Sequence, residues 1–145
     1  MASFSHTVAI AQPPAEVFPW LLEQDRVPRW TGSLESYEVL GGGPVGEGSR
    51  VHQILTIGER RIDVELEITR HEPPREAESQ FSTNGIDVVT AYRLDGDGDE
   101  TKLTQTLEAK ATSFAARMLV PIVQPRLERK LTEDLERLRE LLQSS

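Results

Sequence analysis

Apolar and polar residues alternate from the start of the chain. Phe4, His6, Val8 and Ile10 share one parity and Ser3, Ser5, Thr7 and Ala9 the other, the two-residue period of a half-buried strand. Pro13 and Pro14 end it. Pro14 suits the first turn of a helix, Val17, Trp20 and Leu21 follow at helical spacing, and "VPRW", residues 27–30, predicts a second short helix or turn. Residues 34–40, LESYEVL, predict another strand, but without clean alternation its faces stay unassigned. From residue 50 the turns set the register. Gly58-Glu59 fits a two-residue hairpin turn and pairs Ile57 with Arg60, Leu55 with Ile62, Gln53 with Val64 and Val51 with Leu66. Asn84-Gly85 is the strongest hairpin signal in the chain and pairs Phe81 with Val88, Ser79 with Thr90 and Ala77 with Tyr92.

Directly paired residues share a sheet face. Val51, Gln53, Leu55, Ile62, Val64, Leu66 and Ile68 therefore face inward, and His52, Asp63, Glu65 and Glu67 face water. The spacing of Leu103 and Leu107 puts Gln105 on the inner face beside Thr90. If the HEPPR turn at residues 71–75 joins its strands in phase, Val51, Leu66, Ser79, Thr90 and Gln105 form one row across the sheet.

Residues 112 to 142 have a helical pattern. Leu127, Leu131, Leu135, Leu138, Leu141 and Leu142 fall within about 120° of arc at about 100° per residue, whereas Phe114, Met118 and Ile122 point the opposite way. Pro121 and Pro125 stand between the two groups. An interior proline costs about 3 kcal/mol, so the expectation is a kink or a helix restart there, with Phe114, Met118 and Ile122 shaping a cavity mouth or a contact surface. The plainer alternative is a helix that begins at Pro121.

The chain has 145 residues, no cysteine and a formal charge of -8, which points to a single domain, residues 1–145, without disulfides or thiol chemistry. The charge argues against nucleic acid and against an anionic membrane surface as partners. The N-terminus lacks the features of a signal peptide, and no apolar run is long enough for a membrane span, so the expected location is the cytoplasm. Oligomeric state is left open.

Strand, two short helices, a run of antiparallel strands and a long C-terminal helix make an α+β chain of about seven strands. In that order, "IAQPPAEVFPWL", "VPRW", "VGEGS", "HEPPREAE", "DGDETKLTQTLE" and "LERKLTEDLERLRELLQ" resemble the START-like (SRPBCC) superfamily, in particular its polyketide cyclase/dehydrase and lipid-transport branch. The resemblance covers nearly the whole chain. It implies a helix-grip fold, a curved antiparallel sheet around the long helix with a cavity between them, and for function a small hydrophobic molecule such as a lipid, isoprenoid or polyketide.

Other motifs add little. Gly41, Gly43 and Gly46 form a G-x-G-x-x-G, but a strand follows where dinucleotide binding needs a helix. "DGDGDE", residues 95–100, departs from a calcium loop at Glu100 and Thr106. His52 faces Glu65 across the strands and His71 sits in the HEPPR turn, so the three histidines do not form a metal site, and neither metal nor cofactor is expected.

On the inner face, Trp30, Leu66, Phe81, Met118 and Ile122 are the expected apolar walls of a ligand site, with Gln53, Ser79, Thr90, Tyr92 and Gln105 as neutral polar handles. From Val51 to Ile68 and from Ala77 to Leu107 no Asp, Glu, His, Lys or Arg is placed on the sheet's inner face, and Arg70 has the inner parity only at its strand's end, which favours binding over acid–base catalysis. The alternative is a polyketide aromatase/cyclase or dehydratase using Tyr92, with His6 or Arg70 as further candidates. A third reading is a protein-interaction module with a vestigial cavity.

Overall fold

A computed structural model describes residues 2–57, 59–96 and 98–143, leaving out the side chains of Ala2 and Ile57. The alternating segments form seven strands: β1 (Ala2–Ile10), β2 (Leu34–Val39), β3 (Arg50–Ile57), β4 (Arg60–Glu72), β5 (Glu76–Thr83), β6 (Ile86–Asp95) and β7 (Thr101–Ala111). They make one curved antiparallel sheet in the order β1-β7-β6-β5-β4-β3-β2. Between β1 and β2 lie the short helix α1 (Pro14–Val17) and two single turns of 3₁₀ helix, Phe18–Trp20 and Val27–Arg29. The long helix α2 (Phe114–Gln143) follows β7.

Both hairpin registers hold. Val51, Gln53 and Leu55 pair with Leu66, Val64 and Ile62, and Ala77, Ser79 and Phe81 pair with Tyr92, Thr90 and Val88. Asn84 and Gly85 take φ of 50° and 77°, the left-handed pair that a two-residue turn needs. Gly58 of the other turn and Asp97 of the DGDGDE loop lie outside the described residues.

The HEPPR connection does not join its strands in phase. Ile68 pairs with Ser79 but Arg70 with Glu78, so two residues oppose one in a β-bulge. Beyond the bulge every side chain changes face. Arg70 is turned outward to ion pairs with Glu76 at 3.2 Å and Glu72 at 4.0 Å. His71, expected in the turn, belongs to β4, and its ring meets Phe18 edge-on at 5.3 Å. A second shift, between Leu34 and Ser36 of β2, explains the missing alternation in LESYEVL.

Leu131, Leu135, Leu138 and Leu142 of α2 are buried against the sheet, each worth about 1.5–3 kcal/mol. No restart occurs at the prolines: α2 begins at Phe114 and runs through both. Pro121 and Pro125 lie on the exposed side. The carbonyls of Arg117 and Pro121, four residues back, thus lose their intrahelical donors where water can replace them. The change of apolar face is real, because Phe114, Met118 and Ile122 are 79%, 63% and 71% exposed.

The core falls into two clusters. The larger gathers Ile10, Leu21, Trp30, Val51, Ile68, Leu94 and Leu103 around the C-terminal half of α2. The smaller packs Ile86, Val88 and Ala109 against Ala116, with Leu119 and Val120 at its edge.

Candidate functional site

A pocket of about 630 Å³ opens between α2 and the concave face of the sheet. Its inner end is walled by Leu21, Leu22, Val27, Trp30 and Tyr37, from the segment between β1 and β2 and from β2 itself. Leu66, Phe81, Val88 and Leu107 of the sheet and Leu119, Val123, Leu127 and Leu131 of the helix line its length. At the other end stand exposed residues: Glu59 and Arg60 beside the β3–β4 turn, Asn84 of the β5–β6 turn, and Ile122 and Arg126 of α2.

Nine of the ten expected wall and handle residues line this pocket: Trp30, Gln53, Leu66, Ser79, Phe81, Thr90, Tyr92, Gln105 and Ile122. Met118 does not, because its helical position turns it to solvent. The expected row is also redrawn. The bulge sets Ser79 beside Ile68 rather than Leu66. The β6–β7 register pairs Gln105 with Tyr92 and gives Thr90 the partner Leu107. Ser79 and Thr90 remain direct neighbours.

Gln105 Nε2 donates to the Tyr92 hydroxyl at 3.4 Å, while the buried Gln105 Oε1 has no hydrogen-bond partner among the described residues. Tyr92 keeps some accessible surface because it lines the pocket, yet protein surrounds it. Burial first, then the negative charge of Tyr37 and Asp134 on ionisation, pushes its phenol far above the usual 10.0. Tyr92 thus stays protonated and can donate its own proton to an acceptor in the pocket. Tyr37 is likewise held neutral by burial, and its hydroxyl donates to the Leu22 carbonyl at 2.8 Å.

The two other catalytic candidates lie elsewhere. His6 Nε2 sits 3.1 Å from Glu136 Oε2, and neither His6 nor Arg70 lines the pocket. A carboxylate only accepts, so His6 Nε2 carries the proton. His52 makes a 2.6 Å contact with Asp63 on the outer face. Among the described residues no group of three or more His, Asp or Glu is placed to hold a metal ion.

The pocket is more charged than expected. Arg60 shares the parity of Ile62 and Val64 and lines the open end. From α2 come Arg126, Lys130 and Asp134, one turn apart. Asp134 is 5% exposed and accepts from Gly32 N at 3.0 Å, Lys130 Nζ at 2.6 Å and Arg137 Nη1 at 3.0 Å. Arg137 Nη1 also donates to the Trp30 carbonyl at 2.9 Å, so this cluster ties the helix to the inner wall. A sequence signal for Asp134 existed: on the helical wheel it lies about 20° from Leu127, inside the leucine arc.

The chain's sequence matches the family described as polyketide cyclase / dehydrase and lipid transport over residues 1–143. No curated protein matched it in a sequence comparison. Among solved structures it is similar to a START superfamily protein from Mycobacterium smegmatis, with TM-score 0.76, 15% identity and coverage of 97% of this chain and 98% of that one. Ginseng major latex-like protein 151 from Panax ginseng gives 0.75 at 11% identity, covering 97% of both chains. Norcoclaurine synthase from Thalictrum flavum, in complex with dopamine and hydroxybenzaldehyde, gives 0.72 at 15% identity and covers 97% of this chain and 85% of that one. At these identities the likeness concerns the fold.

Proposed function

The chain belongs to the polyketide cyclase/dehydrase and lipid-transport family, and from that premise we propose that it binds a small, largely apolar molecule, a lipid, isoprenoid or polyketide, between its sheet and α2. The observation that carries this reading is the pocket of about 630 Å³, lined mainly by apolar side chains with the neutral Gln53, Ser79, Thr90, Tyr92 and Gln105 on its sheet side. That combination suits a ligand whose affinity comes from apolar burial and whose orientation comes from a few hydrogen bonds. Trp30, Leu66, Phe81 and Ile122 would be the walls. Gln53, Ser79, Thr90, Tyr92 and Gln105 would be the handles, with Tyr92 and Ser79 donating to a ligand carbonyl or hydroxyl.

Native mass spectrometry of gently purified protein should show a co-purifying small molecule. In a lipid and polyphenol screen, a ligand at about a hundred times its Kd should add about 2.7 kcal/mol of stability and raise Tm by several degrees. Thr90→Trp, which fills the pocket, should abolish both signals. Absence of any bound molecule and of any thermal shift would remove the reading, and a partner that still binds Thr90→Trp would favour the interaction module.

Ring closure on a bound polyketide is the second reading, and the state of Tyr92 favours it. A phenol kept protonated in an apolar pocket can donate to a developing enolate oxygen, while the walls hold a flexible chain folded. Norcoclaurine synthase is an enzyme on this fold. In this reading Tyr92 acts as a donor and not as a base. Tyr92→Phe should abolish turnover and leave ligand affinity nearly unchanged, and unchanged turnover would take Tyr92 out of the mechanism.

A further inference from the structure

We propose that the N-terminal half of α2 docks on the surface of an anionic lipid bilayer. Four large apolar side chains are exposed among the described residues, and Phe114, Met118 and Ile122 are three of them. Spaced four residues apart, they form one stripe along the outer side of the helix. From residue 112 to 127 the chain contains Arg117 and Arg126 and no Asp or Glu, a local charge of +2 in a chain of -8. Both arginines are exposed, one on each flank of the stripe, and neither has a carboxylate partner among the described residues. The second half of the helix is different: Glu128, Glu133, Glu136 and Glu140 mix with cations in the ordinary way.

Within residues 112–127 the stripe's only charged neighbours are cations, and Glu59 at the pocket's open end is matched by Arg60 beside it; this is the pattern of a helix that lies in a bilayer interface, apolar side chains among the acyl chains and arginines at the phosphates. No helix here is long and apolar enough to cross a membrane. A second copy of the chain fits less well. A two-fold contact would set like arginines against each other, and three apolar side chains fall far short of the roughly 20 to 30 residues a side of a stable interface. The formal charge of the whole chain, which argues against an anionic surface, averages away this local reversal. Ile122 also lines the pocket's exposed end beside Arg126. Docking through the stripe would therefore hold that end at the bilayer, although the docking itself does not depend on what the pocket holds.

Flotation with vesicles tests the proposal. Full-length protein should float with phosphatidylcholine vesicles containing about a third phosphatidylglycerol, and much less with phosphatidylcholine alone, with binding falling as salt rises. Met118→Asp should abolish flotation, and Arg117→Gln should weaken it about fivefold. Neither residue lines the pocket, so both variants should keep the wild-type thermal shift with pocket ligands; wild-type protein that floats but shows no such shift would tell against the pocket reading alone. Phe114→Ser is a second apolar variant should Met118→Asp misfold. Equal binding to neutral vesicles, or flotation unchanged in the apolar variants, would overturn the proposal. So would a failure to float combined with a dimer that Met118→Asp converts to monomer, which would assign the stripe to a second copy.

Discussion

Replacing Asp134 by alanine should destabilise the protein well beyond an ordinary helix-surface change. The carboxylate side chain is 7% exposed and holds two cations of unequal exposure, Lys130 at 22% and Arg137 at 44%. It also accepts from the backbone of Gly32. Breaking a buried ion pair by removing one partner costs about 3–5 kcal/mol. Arg137 can recover water easily and Lys130 in part, which lowers the figure to about 2–4 kcal/mol. For a chain of this size that corresponds to a fall in Tm of roughly 5–15 °C. Asp134→Asn keeps an acceptor for Gly32 and should lose only about 1–2 kcal/mol. Urea unfolding gives the comparison, with m-values checked for constancy. An Asp134→Ala protein within about 0.5 kcal/mol of wild type would refute the reasoning. In a double-mutant cycle Lys130→Met should cost less in the Asp134→Ala background than in wild type, because the pair is already broken.

Two pH dependences follow from other groups. Hydrogen bonds from His6 and then Arg139 hold the Glu136 carboxyl below its ordinary 4.5. Its contribution is therefore present above that value and lost as pH falls through the lower folded value. The Glu136 side chain is 39% exposed and screened by solvent, so the stability gap between wild type and Glu136→Gln should be under about 1 kcal/mol at neutral pH and should close in acid; a gap of the same size at both ends would contradict this. Tyr37 and Tyr92, the chain's only tyrosines, are held neutral by burial, so their contribution is full below the ordinary 10.0 and lost as pH rises above it. Stability should then fall by up to about 1.4 kcal/mol per pH unit for each tyrosine, and phenolate absorbance should appear only with unfolding. The Tyr37→Phe, Tyr92→Phe double variant should lack that alkaline slope, and retention of it would place the titration elsewhere.

The fold was legible because its signals are local. Asn84-Gly85 sets the β5–β6 register through two positive φ angles, and parity carries that register across the inner face. The bulge at Ile68–Arg70 was not legible. HEPPR gives no count of how many residues oppose Glu78, and a single extra residue moved Arg70 out and His71 in. Arg60 was hidden differently: its parity was readable, but an inventory of apolar positions passes over a cation at a strand's first residue.

The charged side of the pocket escaped for a reason that also explains the prolines. A helical wheel read only for its leucines treats every charged residue as solvated, yet Asp134 lies within the leucine arc and is buried, paired with Lys130 and Arg137 at its edge. Read for exposure instead, α2 divides near Pro125. Below it the outer side is apolar and basic, and above it mixed charge. The prolines interrupt hydrogen bonding only on the outer side, where the lost donors are cheap, and leave the inner side free to cover the pocket with Leu119, Val123 and Leu127. One unbroken helix thus presents a pocket wall and an exposed apolar stripe at the same level of the chain, and Ile122 belongs to both.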